Sequence, residues 1–250
     1  MITQLLLVVL GVLAGFIGTL LGIGGGSIVS PTLIALGYEP HYAVSSSLAA
    51  VVGTGVGGLY QLYKHHLVRV KLALLLEAAT ALGAYVGSLI AVRLRGWQVS
   101  LIVSLALAIA GTIVLLSSRL EAKRGLTAGR IAVTLPLCLA AGALSALAGI
   151  GGGVVKVPIL IGILGLEVKT ALATSKLMVL VTAATGLASY VIHGVFSLAT
   201  ALPLAVGSYI GATMSARVLL KLRRRSLRLI AALLYYAMSM VAGLKTVCGV

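Results

Sequence analysis

The sequence predicts an all-helical integral membrane protein, a polytopic bundle of two inverted repeats, each with a glycine-rich break and a short half-helix. Three observations predict it. The chain of 250 residues is 60% apolar and only 9% charged, with a mean hydropathy of +1.19, whereas a soluble domain carries about a quarter charged residues to face water. Apolar stretches long enough to cross a bilayer, about 20 residues each, recur from end to end. A glycine motif in the first half returns in the second.

The spanning candidates are residues 2–22, 43–63, 72–92, 98–118, 131–149, 170–192, 198–220 and 226–244. Nothing between them is long enough to fold as a separate soluble domain, so residues 1–250 read as one membrane domain. The first segment has no basic stretch before it and belongs to the repeat, and is not read as a cleaved signal peptide.

Residues 15–33, GFIGTLLGIGGGSIVSPTL, match residues 142–160, GALSALAGIGGGVVKVPIL. Pro31 returns as Pro158, Glu39 as Glu167, and Ser46-Ser47 as Thr174-Ser175. GAYVGSLIAVR at 83–93 resembles GSYIGATMSAR at 207–217. Repeat 1 therefore covers about 1–118 and repeat 2 about 131–250, joined by a linker at 119–130. In each, the segment after the glycines (27–37 and 154–165) is about half the length of a helical span.

Loop charge orients the halves. With an odd number of passes per repeat, loops 64–71, 119–130 and 217–228 share one face. That face then collects Lys64, Arg69, Lys71, Arg119, Lys123, Arg124 and Arg130, then Arg217, Lys221, Arg223, Arg224, Arg225 and Arg228. The other keeps little beyond Arg93, Arg95 and Lys245. An even number divides the charge between the faces. The positive-inside bias favours the odd count, a cytoplasmic linker and both termini outside. The repeats are then inverted, an architecture characteristic of secondary transporters.

Several function classes are excluded or disfavoured. The formal charge of +15 and pI of 10.4 sit in loops between apolar segments, so they do not indicate nucleic acid. There is no Asp, and the carboxylates are Glu39, Glu77, Glu121 and Glu167. Paired-carboxylate catalysis and acidic metal sites are hard to build from these. No Ser-His pairing or HExxH motif points to an intramembrane enzyme. His65, His66 and His193 have no second ligand set, Cys138 and Cys248 lack metal or disulfide spacing, and no cofactor is expected.

The glycine clusters carry the functional expectation. Consecutive glycines interrupt an apolar helix and leave backbone N–H groups at the start of the short segment that follows. A helix N-terminus favours an anion. Gly24, Gly25, Gly26 and Ser27, facing Gly151, Gly152 and Gly153, would frame a central site for a small anion. The alternative is that these glycines only allow tight packing. Packing is the reading for the isolated pairs Gly11/Gly15, Gly18/Gly22, Gly53/Gly57, Gly83/Gly87 and Gly207/Gly211. No nucleotide P-loop fits, because no Gly-Lys-Ser/Thr follows either cluster.

Lys156 and Lys176 stand where the first repeat has Val29 and Leu48. A charge inside a membrane segment marks a substrate path unless it snorkels to the interface. Ser46, Ser47, Thr174 and Ser175 offer hydroxyls to an oxyanion or to neighbouring helices. Glu77 is either a proton-coupling carboxylate or a partner for Lys71. Glu39 and Glu167 fall at segment ends.

On G-I-G-G-G with Pro31 and Pro158, the A-T-S of residues 173–175 and the duplicated layout, the chain resembles the TauE/SafE family of sulfite exporters and anion permeases. The resemblance covers nearly the whole chain. It implies a plasma-membrane carrier for small anions such as sulfite, sulfonates or related organic acids, often exporting them. The first repeat departs at Ser45–Ser47, where Ala-Thr-Ser is usual. An anion channel and a non-transporting scaffold or sensor subunit are the rival functions. The expected partners are the lipid bilayer and the anion, and the sequence leaves room for a homo-oligomer.

Overall fold

The computed structural model describes residues 2–22, 24–116, 127–219, 233 and 236–241. Among them the secondary structure is helical, with no strand. The helices with defined bounds among the described residues are α1 (Ile2–Leu20), α2 (Gly26–Ala35), α3 (Pro40–Lys64), α4 (Val70–Arg93), α5 (Gly96–Leu116), α6 (Ala128–Ala148), α7 (Gly153–Gly162), α8 (Val168–Ile192) and α9 (Leu198–Leu219). Residues 236–241 are also helical. Most of linker 119–130 and loop 217–228, much of the last predicted span and Cys248 lie outside the described residues.

Six of these helices are long and apolar enough to cross a membrane: α1, α3, α4, α6, α8 and α9. Helix α5 is apolar too, but its stretch Gly96–Ala110 is shorter. Large apolar side chains such as Leu5, Leu6, Leu74, Leu82, Val133 and Leu202 are exposed. In a soluble protein that surface would be a liability. Around a bundle in a bilayer it is the surface that meets lipid. Helices suit this setting because each satisfies its own backbone hydrogen bonds.

Local chemistry sets the helix starts. Glu39 is the N-cap of α3 and accepts a hydrogen bond from His41 N at 3.4 Å, with Pro40 at the first helical position. Glu167 is the N-cap of α8, so both glutamates do fall at segment ends. His41 Nε2 reaches the carbonyls of Ala91 (3.1 Å) and Leu94 (3.0 Å), tying the start of α3 to the end of α4.

The isolated small-residue pairs pack helices. A methyl group on Gly15 would overlap the backbone of Ser208, coming within 2.6 Å of its Cα, and one on Gly11 would lie 2.5 Å from Leu204 O. From the other side, Gly207 faces Val8 and Val12, and Gly211 faces Val12 and Phe16. Helices α1 and α9 are therefore parallel and in backbone contact. Gly83, Gly87 and Gly142 join α4 to α6 in the same way, and Gly53 and Gly57 rest on Ala205 and Tyr209 of α9. Gly18 differs, packing against the backbone of Gly24 and Gly25. At close approach without an apolar driving force, packing and backbone fit are what hold such helices together.

The two repeats exchange contacts. The first helix of each (α1, α6) packs on the fourth of the other (α9, α4). Between them run α3 and α8, with Leu48 beside Gly186, Gly55 beside Leu180 and Gly58 beside Lys176. Falling numbers on one helix meet rising numbers on the other, so α3 and α8 are antiparallel.

Candidate functional site

The G-G-G clusters break the chain. Gly24 and Gly25 (φ 90 and 79) and Gly151 and Gly152 (φ 77 and 69) are left-handed. Gly25 and Gly152 are the N-caps of α2 and α7, and neither helix has a side-chain cap hydrogen bond. Pro31 and Pro158 lie inside these ten-residue helices. Both breaks reach the middle of the bundle. Val51 of α3 and Val179 of α8, both fully buried, each stand against Gly24 and Gly151. A methyl on Gly26 would meet Gly149 O. The clusters predicted to face each other are therefore brought together.

The serine and threonine candidates are engaged in this conformation. Ser47 Oγ donates to Gly26 O (3.1 Å) and Gly149 O (2.8 Å), clamping one break to the other. Its counterpart Ser175 donates to Gly22 O (3.1 Å). Ser46 shares a hydrogen bond with Thr200 (2.8 Å), and Thr174 accepts from Arg69 N (3.1 Å). Ser30 donates to Ala148 O (3.0 Å), a second bond between breaks. Ser27 is different. Its hydroxyl is buried at the start of α2 without a hydrogen-bond partner among the described residues.

Both membrane lysines are fully buried, so neither snorkels. Lys176 Nζ donates to Thr19 Oγ1 at 2.9 Å, and its stem lies against Gly58. No carboxylate among the described residues lies within ion-pair distance of it, whereas Lys156 pairs with Glu77. Lys156, in the first turn of α7, reaches Glu77 Oε2 on α4 at 3.2 Å and also donates to Thr182 of α8, which in turn donates to Glu77 Oε1. Glu77 is 3% exposed. Lys71 is thus not its partner: it is exposed and lines a cavity instead. Neighbouring positions on one helix suggested Lys71, but the packing of α7 against α8 brings in a residue 79 positions away.

That cavity, about 530 Å3, lies at the end of α3 and the start of α4, lined by Tyr63, His66, Val68, Arg69, Val70, Lys71 and Leu72. Through Arg69 N it touches Thr174, two residues from Lys176. No group of three His, Cys, Asp or Glu among the described residues could hold a metal ion.

Sequence reasoning missed three site residues. Ser145 of α6 is buried without a partner among the described residues, and its hydroxyl lies 3.3 Å from where a methyl on Gly152 would be. Thr182 completes the Glu77–Lys156 cluster, and Thr19 holds Lys176. Only Thr182 left a signal, because Thr54 repeats it in the first half.

The family profile described as "Sulfite exporter TauE/SafE" matches residues 7–242. The chain belongs to the TauE/SafE family. It is therefore a multi-pass membrane transporter and not an enzyme, in keeping with its spanning helices. Its relatives include "Probable membrane transporter protein YunE" of Bacillus subtilis (strain 168), 25% identical over 90% of this chain and 92% of the relative. "Probable membrane transporter protein YdhB" of the same strain is 25% identical over 87% and 89%. A "Probable membrane transporter protein" of Xylella fastidiosa (strain 9a5c) is 32% identical over 60% of each. No solved structure matches this TauE/SafE chain.

Proposed function

We propose that this protein carries a small oxyanion across the membrane by alternating access, binding it where the two glycine breaks meet. One observation carries the reading. Two half-helix N-termini converge at the bundle centre with left-handed glycine caps and no side-chain caps, and beside each is a buried serine hydroxyl without a partner among the described residues, Ser27 in α2 and Ser145 of α6 beside the start of α7. Buried polar groups are normally paired, and helix N-termini attract negative charge. An anion would satisfy both hydroxyls and both helix ends.

The lysines fit this reading. Lys156 starts from the first turn of α7, and side chains there point back toward the helix N-terminus. Lys176, an ammonium with a hydroxyl but no carboxylate partner among the described residues, lies between the basic cavity and the site and would draw the anion inward. The family description supports sulfite as cargo, moved outward, and a sulfonate or related organic acid anion offers the site the same oxyanion chemistry. A carrier is favoured over a channel because Val51 and Val179 fill the space between the breaks.

We read the two halves (1–118 and 131–250, with a cytoplasmic linker at 119–130) as inverted repeats. The antiparallel course of the equivalent helices α3 and α8 supports this, since repeats related by an axis along the membrane normal would place them parallel.

Proteoliposomes screened with sulfite, sulfate, methanesulfonate, isethionate and small carboxylates test the proposal. Saturable flux of one class is expected. Flux without saturation would make the protein a channel, and no flux or anion-induced stabilisation of any kind would leave it a non-transporting subunit.

A further inference from the structure

The Glu77–Lys156–Thr182 cluster is the least economical feature of the bundle. Taking a carboxylate and an ammonium out of water costs several kcal/mol per ion, and apolar replacements of such pairs are often neutral or stabilising. This protein contains its own control. By equivalent packing of the repeats, in which Gly142 on Thr80 matches Gly15 on Ser208, Lys156 corresponds to Val29, Thr182 to Thr54 and Glu77 to Ala205. The first half-helix break forms with Val29 and, from α9 of the other repeat, Ala205 in those places, and Thr54 there bonds Ala50 O at 2.7 Å. The architecture does not need the ion pair.

Resting on the anion-carrier reading, we propose that Glu77 and Lys156 form a proton-for-contact exchange site. An incoming anion replaces the Glu77 carboxylate at the Lys156 ammonium, and one proton moves onto Glu77. The charges balance. In the empty carrier the carboxylate and ammonium neutralise each other. With the anion on Lys156 and a proton on Glu77, the cluster is again neutral. An anion without the proton leaves a buried carboxylate uncompensated, and a proton without the anion leaves a buried ammonium uncompensated. Both half-loaded forms carry the cost of an unpaired buried charge. Proton and anion therefore bind together, one proton per negative charge. Because the loaded and empty clusters carry the same charge, the membrane potential does no work on this cluster as the carrier turns over.

Among the described residues the surroundings add no competing charge. Besides the pair, the groups facing it are the hydroxyls of Thr182 and Thr80 and the Cys138 thiol of α6. Helix α5, which also packs on α7, contains no ionisable residue. Thr182 lies one turn beyond Val179, which touches both glycine breaks, so the cluster adjoins the proposed anion site.

The test uses the full chain in detergent at low buffer strength, with methanesulfonate and isethionate as probes. Both are strong-acid anions that take up no proton themselves near neutral pH. Wild type should take up about one proton per anion bound, and on the alkaline side its affinity should fall about ten-fold per pH unit. Glu77→Gln should bind without proton uptake and without that pH dependence. The double variant Glu77→Ala/Lys156→Val, copied from the equivalent positions around the other break, should fold, melt no lower than wild type and lose proton-linked binding. Binding by wild type without proton uptake, or unchanged uptake in Glu77→Gln, overturns the inference while the carrier reading stands. A double variant that does not fold overturns it too, because the pair would then be structural. If no anion binds wild type, the carrier reading falls and this inference falls with it.

Discussion

Replacing Gly152 by alanine separates a binding role for the glycine breaks from a packing role. The repeats make Gly25 and Gly152 equivalent, but their surroundings differ. A methyl on Gly25 would lie 2.5 Å from Ala14 O and 2.9 Å from Ala14 C, so that variant damages packing whatever the break does. A methyl on Gly152 would meet Ser145 Cβ at 3.1 Å, Ser145 Oγ at 3.3 Å and Ala141 O at 3.4 Å, contacts that small adjustments relieve. The main cost is the left-handed backbone, φ 69, about 1–2 kcal/mol for a residue with a Cβ. At roughly 2–4 °C per kcal/mol for a chain of this size, the melting temperature should fall by about 2–8 °C. The methyl also crowds the Ser145 hydroxyl and disfavours the backbone that aims the α7 N-terminus at the anion. A saturating anion at about 100 times its Kd stabilises by about 2.7 kcal/mol, and a ten-fold loss of affinity removes roughly half of that. Thermal melts with and without the tightest anion from the flux screen measure both quantities. Gly211→Ala is the control. Its methyl would overlap the Val12 backbone and lie 2.8 Å from Phe16 N, far from the breaks. It should lower stability by about 1–3 kcal/mol or more yet keep the full anion-induced shift. If Gly152→Ala also keeps the full shift, the break does not bind the anion and the reasoning fails.

Two further outcomes are expected. Lys176→Met removes a buried ammonium that has Thr19 as its partner but no carboxylate; it should melt no lower than wild type while anion flux drops at least about ten-fold, and unchanged flux would take Lys176 off the path. In a background without Cys138 and Cys248, a cysteine at His193 should react with an impermeant maleimide on intact cells, whereas one at His66 should not. Cysteines placed in loops 119–130 and 217–228 should both be protected, and labelling of these two loops from opposite faces would rule out inverted repeats.

Much of the fold was legible because apolar length is a local property. A run of about 20 apolar residues demands a spanning helix wherever it lies, and the predicted spans coincide with α1, α3, α4, α5, α6, α8 and α9 to within a few residues. The glycine runs likewise announced the breaks, since three consecutive residues without a Cβ cannot sustain an apolar helix against their entropy. Four of the five small-residue pairs pack helices because spacing by four places them on one helix face, whereas Gly22 of the fifth is left-handed and belongs to the first break.

What the sequence by itself determined, then, was class, repeat and the position of the breaks. The tertiary structure alone decided which polar groups meet. Glu77 could have served Lys71, about 1.7 turns away on the same helix, yet it pairs with Lys156 because α7 packs on α8, which itself packs on α4. Ser47 bonds two carbonyls 123 residues apart (149 − 26) in the chain, and the hydroxyls of Ser27 and Ser145 are left without partners among the described residues by packing that no local pattern encodes. Hydrophobic burial is additive along a chain and can be read residue by residue. A hydrogen bond or ion pair needs two groups within about 3 Å, and that distance is set by how distant helices cross.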